Sequence, residues 1–209
     1  MSAARTLGIN GLGRIGKLTL WHHLAHDGFD RIVVNVGRPV GTSLRSVVEY
    51  VSKDSTYGPL HRYLGGCSAA PDIKVVDEGQ GLIQAHGKEI VLLREARDPK
   101  DIPWRDSGVA LVVDCTGKFQ DPNDDVDSPT GSLRGHLTAG ARAVVQSSPF
   151  KSKQEGATLP DDSAFLIFGI NHLDFDPGKH RLVSAASCTT TALAHMLRPL
   201  LARDLTHDM

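Results

Sequence analysis

The chain has 209 residues, of which 40% are hydrophobic and 22% are charged, and this balance fits one globular domain or two small ones. Its formal net charge of −1 gives no electrostatic reason to expect a nucleic-acid or membrane-surface partner, so a small-molecule ligand is the better hypothesis. Three cysteines without C-x-x-C spacing argue against a disulfide framework or a thiolate zinc site, and no apolar run is long enough to span a bilayer. We therefore expect a cytoplasmic protein in a reducing compartment, with no bound metal.

Apolar runs of strand length alternate with helical patterns from the N-terminus onward, which is typical of an α/β protein. A first strand at residues 7–10 leads into a glycine loop and a helix that ends near Gly28, and a parallel strand at residues 31–36 completes a βαβ unit. Further strands are predicted at residues 73–76, 89–93, 110–114, 143–147, 165–169 and 181–184. Most are apolar throughout, as buried parallel strands are, so the pattern predicts a doubly wound, mostly parallel sheet, that is, a Rossmann domain.

Two segments should depart from this regular pattern. Residues 119–132 are dominated by Asp, Pro, Asn, Ser and Gly and carry no periodicity, which predicts a solvated loop. In the helical pattern at the end of the chain, Pro199 removes a hydrogen bond and clashes with the preceding turn, so a kink or a stop is expected near Arg198.

The glycine loop is a G-x-G-x-x-G motif that lies directly after a strand and directly before a helix. Gly11 permits the tight turn, Gly13 lets the backbone approach a pyrophosphate, and Gly16 allows the helix to pack closely on the strand. The helix N-terminus then offers unpaired N–H groups and partial positive charge to the phosphates. In this βαβ context the motif predicts a dinucleotide site and is less consistent with an ordinary glycine-bearing turn.

The end of the second strand lacks the acidic residue that usually accepts hydrogen bonds from the adenosine ribose. The sequence there gives Gly37 at the expected position, followed by Arg38. Loss of the carboxylate removes repulsion against a ribose 2′-phosphate, and an arginine can pair with that phosphate through two parallel hydrogen bonds. Arg38 in this role favours NADP or dual use with NAD, and the alternative is a residue of a solvated loop.

Cys188 follows a strand and precedes an apolar helical pattern, which places it at the start of a helix. There the helix dipole and the unpaired N–H groups stabilise a thiolate and can stabilise an oxyanion. The flanking hydroxyl groups of Ser187 and Thr189 could hold a phosphate or a substrate oxygen. Without further information, such a cysteine is more often a small buried hydrophobic residue than a nucleophile.

The motifs of this chain resemble, in the same order, those of the glyceraldehyde-3-phosphate dehydrogenase family along nearly the whole chain. Residues 8–17, GINGLGRIGK, are similar to the family's G-I-N-G-F-G-R-I-G-R, and residues 187–190 reproduce the S-C-T-T around its nucleophile. The similar segments between them are residues 53–58, 97–104, 113–119, 136–141, 147–149 and 169–172.

The resemblance implies an enzyme that oxidises glyceraldehyde 3-phosphate with NAD or NADP and inorganic phosphate to 1,3-bisphosphoglycerate through a cysteine thioester. It assigns Cys188 as the nucleophile, with Ser187 and Thr189 holding substrate or phosphate. A full-length relative would be a homo-oligomer. The implied cofactor-binding residues, together with those argued above, are Gly11, Gly13, Arg14, Ile15, Gly16, Arg38, Arg97, Thr116, Gly117 and Ser147.

The chain also departs from the family pattern. Thr191 replaces the asparagine that follows S-C-T-T, and the segment between Phe119 and His136 is longer than the family's. We expect residues 1–187 to form the NAD(P)-binding domain and residues 188–209 to begin a catalytic domain whose remainder, with the general-base histidine, is absent. The chain alone should then be inactive. The alternatives are a degenerate module that binds NAD(P) or a partner without turnover, and a related dehydrogenase for another phosphorylated aldehyde such as erythrose 4-phosphate.

Overall fold

A computed structural model describes residues 4–37, 43–94, 96–154, 156–185 and 187–203 of the chain. The strands within these residues are β1 (Thr6–Asn10), β2 (Arg31–Asn35), β3 (Lys53–Asp54), β4 (Gly58–Pro59), β5 (Ile73–Asp77), β6 (Leu82–Ala85), β7 (Lys88–Leu93), β8 (Val109–Asp114), β9 (Ala143–Gln146), β10 (Ser163–Phe165) and β11 (Leu182–Ser184). The α-helices are α1 (Arg14–Ala25), α2 (Leu44–Val51), α3 (Leu60–Gly65), α4 (Gly135–Thr138) and α5 (Cys188–Leu201), with 3₁₀ turns at Pro99–Asp101 and His172–Asp174. None of the helices described here has the length and apolarity needed to cross a bilayer.

Most of the strands belong to one large sheet in the order β10-β11-β9-β8-β1-β2-β7-β6-β5, and β3 and β4 form a separate small hairpin. The strands from β10 to β7 pair in parallel, whereas β6 and β5 add an antiparallel edge. β1 lies near the centre, and its last residue, Asn10, is in register with Asn35 of β2 and Asp114 of β8. This arrangement confirms the predicted mostly parallel α/β sheet of a Rossmann domain, accompanied by only a few helices.

The two faces of the central strands are covered by separate apolar cores because successive side chains of a strand point to opposite faces. On one face, Leu7 and Ile9 of β1 pack with Trp21 and the other buried residues of α1. On the other face, Val33 of β2 and Val112 of β8 join a core around Trp104, Ile102 and Leu133. Both cores therefore hold the carboxyl ends of β1, β2 and β8 in fixed positions.

One strand prediction needs correction. The strand predicted at residues 165–169 lies instead at Ser163–Phe165, because the Asn171 side chain accepts the N–H of Ile167 and donates to the carbonyl of Phe165, which bends the chain away from the sheet. The strand predicted at residues 73–76 is present as β5, which belongs to the antiparallel edge and alternates between half-buried and exposed residues.

The segment from Phe119 to Ser132 has no regular secondary structure, as predicted, but it is only partly solvated. Phe119, Asp121 and Ser132 are buried, and the Asp121 carboxylate accepts the backbone N–H of Lys153 at 2.7 Å. Its polar composition thus serves internal hydrogen bonds as well as contact with solvent. Of the kink or stop predicted near Arg198, a stop at that residue is wrong, because α5 continues past Pro199 to Leu201.

Candidate functional site

The predicted cofactor-binding residues that the structure describes lie along one edge of the sheet. β1, β2, β8, β9 and β11 run in parallel, so their carboxyl ends meet at the same edge, where open α/β sheets bind their ligands. The glycine loop follows β1, Thr116 and Gly117 follow β8, Ser147 follows β9, and Cys188 begins the helix after β11. At about 4.8 Å between neighbouring strands, β11 lies roughly 14 Å across the sheet from β1.

The glycine loop has the close backbone approaches that its sequence predicts. Gly11 has a φ of +95°, in the region that favours glycine, and its N–H donates to the carbonyl of Asn35 at 2.8 Å. A Cβ added at Gly16 would lie 1.9 Å from the carbonyl oxygen of Gly11, so only glycine fits there. A Cβ added at Gly13 would meet no atom within 4 Å, because this residue faces open space.

The N-terminus of α1 is open to an anion. Gly13 is its N-cap residue and provides no side-chain hydrogen bond, and the first turn contains no acidic residue. The first N–H groups of the helix therefore keep their hydrogen-bonding capacity and the positive end of the helix dipole. Ile15, in the first turn of the helix, is 52% exposed.

Two cavities meet at the edge of the sheet. One, of about 500 Å³, is lined by the glycine loop with Tyr50 and Cys115, and the other, of about 420 Å³, by Asn10, Asn35 and Arg97. Both are also lined by Val36, Thr116 and Lys118. Such volumes are typical of small-molecule and cofactor sites. None of the described residues that line either cavity carries a carboxylate.

The charged side chains among the described residues that line these cavities are Arg97 and Lys118, both cationic, and Arg14 lies beside them at the start of α1. Arg14 is oriented by the loop after β3, where its Nη2 donates to Ser55 Oγ at 3.0 Å and its Nε lies 3.6 Å from Asp54 Oδ2. Arg97 Nε donates to the carbonyl of Gly37 at 3.0 Å, which draws this arginine to the end of β2. The ammonium of Lys118 lies 5.0 Å from the centre of the Phe119 ring. Arg38 lies outside the described residues.

Thr116 and Ser147 are both positioned by Asp114, the last residue of β8. One carboxylate oxygen, Oδ1, accepts the N–H of Thr116 at 3.0 Å and its hydroxyl at 2.6 Å, and the backbone carbonyl of Asp114 accepts the N–H of Ser147 at 2.9 Å. Gly117 follows with a φ of +64° and space around its Cα. No sequence pattern pointed to Asp114, because its partners Asn10 and His136 are distant along the chain.

Cys188 is exposed and is the first residue of α5. The N-cap residue of this helix is Ser187, whose Oγ accepts the N–H of Thr190 and donates to its hydroxyl at 2.8 Å. The Ser187 hydroxyl is therefore engaged with the helix, while Thr189 is exposed beside the thiol. Cys188 thus lies at the positive end of the α5 dipole.

The other cysteine near the site differs in its environment. Cys115 lines the glycine-loop cavity, and burial raises the pKa of its thiol to about 11. It is therefore a protonated thiol at neutral pH and a poor nucleophile. Of these two cysteines, only Cys188 combines exposure with a helix N-terminus.

Histidines in the described part of the chain are engaged elsewhere than at Cys188. His195 donates Nδ1–H to the carbonyl of Thr191, and it lies seven residues further along α5, about 10 Å at 1.5 Å per residue. His172 Nδ1 accepts the N–H of Gly169. His136 is fully buried between Trp104 and Asp114. No histidine of the described residues makes a hydrogen bond to Cys188 that could serve proton transfer.

The sequence of the chain is similar to those of known proteins over most of its length. The family model described as "Glyceraldehyde 3-phosphate dehydrogenase, NAD binding domain" matches residues 5–122. The chain is 32% identical over 192 residues to glyceraldehyde-3-phosphate dehydrogenase 2 of Bacillus subtilis, covering 92% of the chain and 46% of that protein.

Two further relatives give the same picture. Identity is 33% over 194 residues to the glyceraldehyde-3-phosphate dehydrogenase of Geobacillus stearothermophilus, covering 93% of the chain and 48% of the relative. It is 35% over 188 residues to glyceraldehyde-3-phosphate dehydrogenase 1 of a Nostoc species, covering 90% and 46%. The chain thus spans about half the length of the curated relatives it matches. With the family match covering more than half of its residues and the glycine loop in place, the chain belongs to the glyceraldehyde-3-phosphate dehydrogenase family and contains its NAD-binding domain.

Proposed function

We propose that this chain is the cofactor-binding part of a phosphorylating aldehyde dehydrogenase that oxidises glyceraldehyde 3-phosphate with NAD or NADP. The observation that carries the proposal is the open space at Gly13, which lines the 500 Å³ cavity in front of an uncapped helix N-terminus. A pyrophosphate at that place would accept N–H groups of α1 and meet the cationic side chain of Arg14. The adenosine half would lie in the cavity lined by Asn35 and Arg97, and the nicotinamide half would extend past Ser147 toward Cys188.

The charges at the cavity support NADP as well as NAD. A ribose 2′-phosphate needs cations nearby and no carboxylate, and the cavity lined by Arg97 and Lys118 has this character among its described residues. Lys118 stands where the family's T-G-V-F motif has valine, so it is a cation that this chain adds. Replacing Lys118 by valine should weaken NADP binding more than NAD binding, because only NADP carries the additional phosphate.

The chemistry proposed for Cys188 is the one that the family resemblance implies, and its place at the start of α5 supports it. Its thiolate adds to the aldehyde carbon of the substrate, and the carbonyl oxygen takes up a proton to give a hemithioacetal. When bound, the cofactor supplies the hydride acceptor for the next step. Loss of that hydride and of the hydroxyl proton leaves a thioester on Cys188. An oxygen of inorganic phosphate then attacks the thioester carbon, the carbon–sulfur bond breaks, and the acyl phosphate departs with return of the thiolate.

Proton transfer is the step that the described residues do not provide. A positioned general base typically contributes about 10²- to 10⁴-fold to such a reaction. Since no histidine of the described residues is bonded to Cys188, we expect the 209-residue chain alone to form the thioester slowly and to turn over very little. The exposed thiol and the lack of buried residues in α5 agree with the predicted domain boundary at Cys188.

A trapping experiment tests this proposal. The purified chain is incubated with glyceraldehyde 3-phosphate and NAD without phosphate, and the peptide containing Cys188 is analysed by mass spectrometry, with Cys188→Ser as the control. A phosphoglyceroyl group on Cys188, matched by one equivalent of NADH and absent from the control, is the expected result. An NAD-binding chain that forms no adduct after prolonged incubation would favour a cofactor-binding module without chemistry.

A further inference from the structure

A buried chain of hydrogen bonds connects the core of the protein with the carboxyl edge of the sheet. Trp104 Nε1 donates to His136 Nδ1 at 2.9 Å, and His136 Nε2 lies 3.0 Å from Asp114 Oδ2. All of these side chains are fully buried. They come from the segment before β8, from α4 and from the end of β8, so the hydrogen bonds tie together three elements that are separate in the sequence.

Trp104 and Asp114 together determine which nitrogen of His136 carries the proton. An indole N–H can only donate, so His136 Nδ1 must offer its lone pair. In a neutral imidazole the proton then lies on Nε2, where it points at the carboxylate of Asp114. The direction of donation is therefore fixed from Trp104 through His136 to Asp114.

Asp114 connects these hydrogen bonds to residues that line the cavity. Its Oδ2 also accepts Nδ2 of Asn10 at 2.8 Å, and its Oδ1 accepts the N–H and the hydroxyl of Thr116. Asn10 Oδ1 in turn accepts Nδ2 of Asn35 at 2.8 Å. Asn10, Asn35 and Thr116 all line the 420 Å³ cavity. Each residue at the end of this network is thus part of the wall of the proposed cofactor site.

We propose that Trp104 and His136 are positioning residues of the dinucleotide site. A buried carboxylate that loses one of its donors is costly, so it moves or admits water to recover a partner. The donor from His136 holds the Asp114 carboxylate at the carboxyl ends of β1 and β8, and Asp114 keeps Thr116 and Asn10 in the orientation that the dinucleotide meets. The expected effect of these two residues on nucleotide affinity rests on the proposed function. Their effect on the orientation of Thr116 is expected in nucleotide-free protein as well.

The variant Trp104→Phe tests the inference because it removes the N–H and keeps an aromatic ring in the core. Trp21→Phe is the matched control: Trp21 is equally buried, and its indole N–H donates to the carbonyl of Val51 on the other face of the sheet. In nucleotide-free protein, ¹⁵N NMR of the histidine rings should show His136 protonated on Nε2 in all three proteins, because the Asp114 carboxylate accepts that proton. The Nδ1 resonance of His136 should move in Trp104→Phe only, because there Nδ1 loses its hydrogen-bond donor. Amide hydrogen exchange of Thr116 should accelerate in Trp104→Phe only.

Nucleotide affinity is the second measurement in this test. We expect NAD to bind Trp104→Phe about three- to tenfold more weakly than the wild type and Trp21→Phe to bind it normally, as the net worth of one hydrogen bond suggests. A wild-type His136 protonated on Nδ1 would overturn the inference, and so would unchanged Thr116 exchange and NAD affinity after loss of the indole N–H. Failure of the wild type to bind NAD would refute the proposed function instead, and the exchange of Thr116 would still decide whether Trp104 positions it.

Histidine variants keep the test decisive if Trp104→Phe does not fold. The amide of His136→Gln can accept from the indole with its oxygen and donate to Asp114 with its nitrogen, which retains the direction of donation. His136→Leu removes both hydrogen bonds at similar size. The inference predicts slow Thr116 exchange and nearly normal NAD affinity in His136→Gln and loss of both in His136→Leu. Equal behaviour of the two variants would contradict it.

Discussion

Replacement of Gly16 by alanine and replacement of Gly13 by alanine should have different effects on stability and on NAD binding. In Gly16→Ala, the new Cβ would lie 1.9 Å from the carbonyl oxygen of Gly11, whereas real Cβ contacts essentially never fall below 3.0 Å. The loop backbone must therefore retreat by at least about 1.1 Å. Because the same loop is held by the hydrogen bond from Gly11 N–H to the Asn35 carbonyl, this movement costs both packing and a hydrogen bond.

The expected magnitude for Gly16→Ala follows from similar overpacking in protein cores, which costs about 1–3 kcal/mol. For a chain of this length, a loss of about 2 kcal/mol lowers Tm by roughly 4–8 °C. Differential scanning fluorimetry measures this change, and isothermal titration calorimetry should show that NAD binding is lost as well, since the displaced loop no longer presents its N–H groups.

In Gly13→Ala, the Cβ meets no protein atom, so the fold should tolerate it with a loss of at most about 1 kcal/mol from the helix N-cap. The Cβ occupies the space proposed for the pyrophosphate. NAD affinity should therefore fall at least about tenfold, the worth of one charge-assisted hydrogen bond, at nearly unchanged Tm. Unchanged affinity in Gly13→Ala, or a wild-type Tm in Gly16→Ala, would refute the reasoning about this loop.

Three further predictions concern charge. Lys118→Val should weaken NADP binding about tenfold and NAD binding little, as measured by calorimetry with both nucleotides; equal losses would argue against a contact with the 2′-phosphate. Burial, together with the charges of His22 and His26, lowers the pKa of His23 to about 4, so the unfolded chain takes up a proton near pH 6.5 that the folded chain does not. Stability should then fall as pH drops from about 6.5 to 4, and His23→Gln should show a smaller fall in Tm across that range. A hydrogen bond from the N–H of Thr56 and, as the next largest cause, one from the ammonium of Lys17 hold the pKa of Asp54 well below its usual range. The ionised Asp54 carboxylate therefore stabilises the fold above about pH 4, and this stabilisation is lost as the pH falls further. Asp54→Asn should lower Tm at pH 7 and make little difference in acid; an equal loss at both pH values would show that shape, not charge, matters there.

The sequence predicted the parts of the site whose geometry is local. The glycine loop needs only the spacing of Gly11, Gly13 and Gly16 between a strand and a helix, and the structure has that arrangement. The helix start at Cys188 follows from the same kind of local pattern. Such features depend on neighbouring residues, so periodicity and turn chemistry are sufficient to find them.

Contacts between distant residues could not be predicted in this way. Trp104 lies 32 residues before His136, and Asp114 lies 22 residues before it, so no spacing rule connects them. A histidine in a helical segment gives no sign of its buried partners. The composition of residues 119–132 likewise indicates solvent exposure, whereas the fold uses Asp121 to hold the backbone of Lys153.

The exact position and pairing direction of some strands could not be predicted for a related reason. The apolar residues after Phe165 suit a strand by composition, but hydrogen bonds from the Asn171 side chain turn the chain before they can join the sheet. β5 has apolar residues that suit a parallel strand, and only its pairing partner, β6, determines that it is antiparallel. Composition predicts extended structure, whereas pairing direction depends on the rest of the chain.

The most direct test of the account is an NMR titration of the ¹⁵N-labelled wild-type chain, a 22.5 kDa protein, with NAD and then with NADP. The account predicts that the amide signals of Gly13, Arg14, Ile15 and Thr116 shift together with those of the residues around Arg97, while the signals of the β5–β6 edge stay in place. Saturable shifts confined to another surface, or no shifts at millimolar nucleotide, would contradict the claim that this sheet edge is a dinucleotide site.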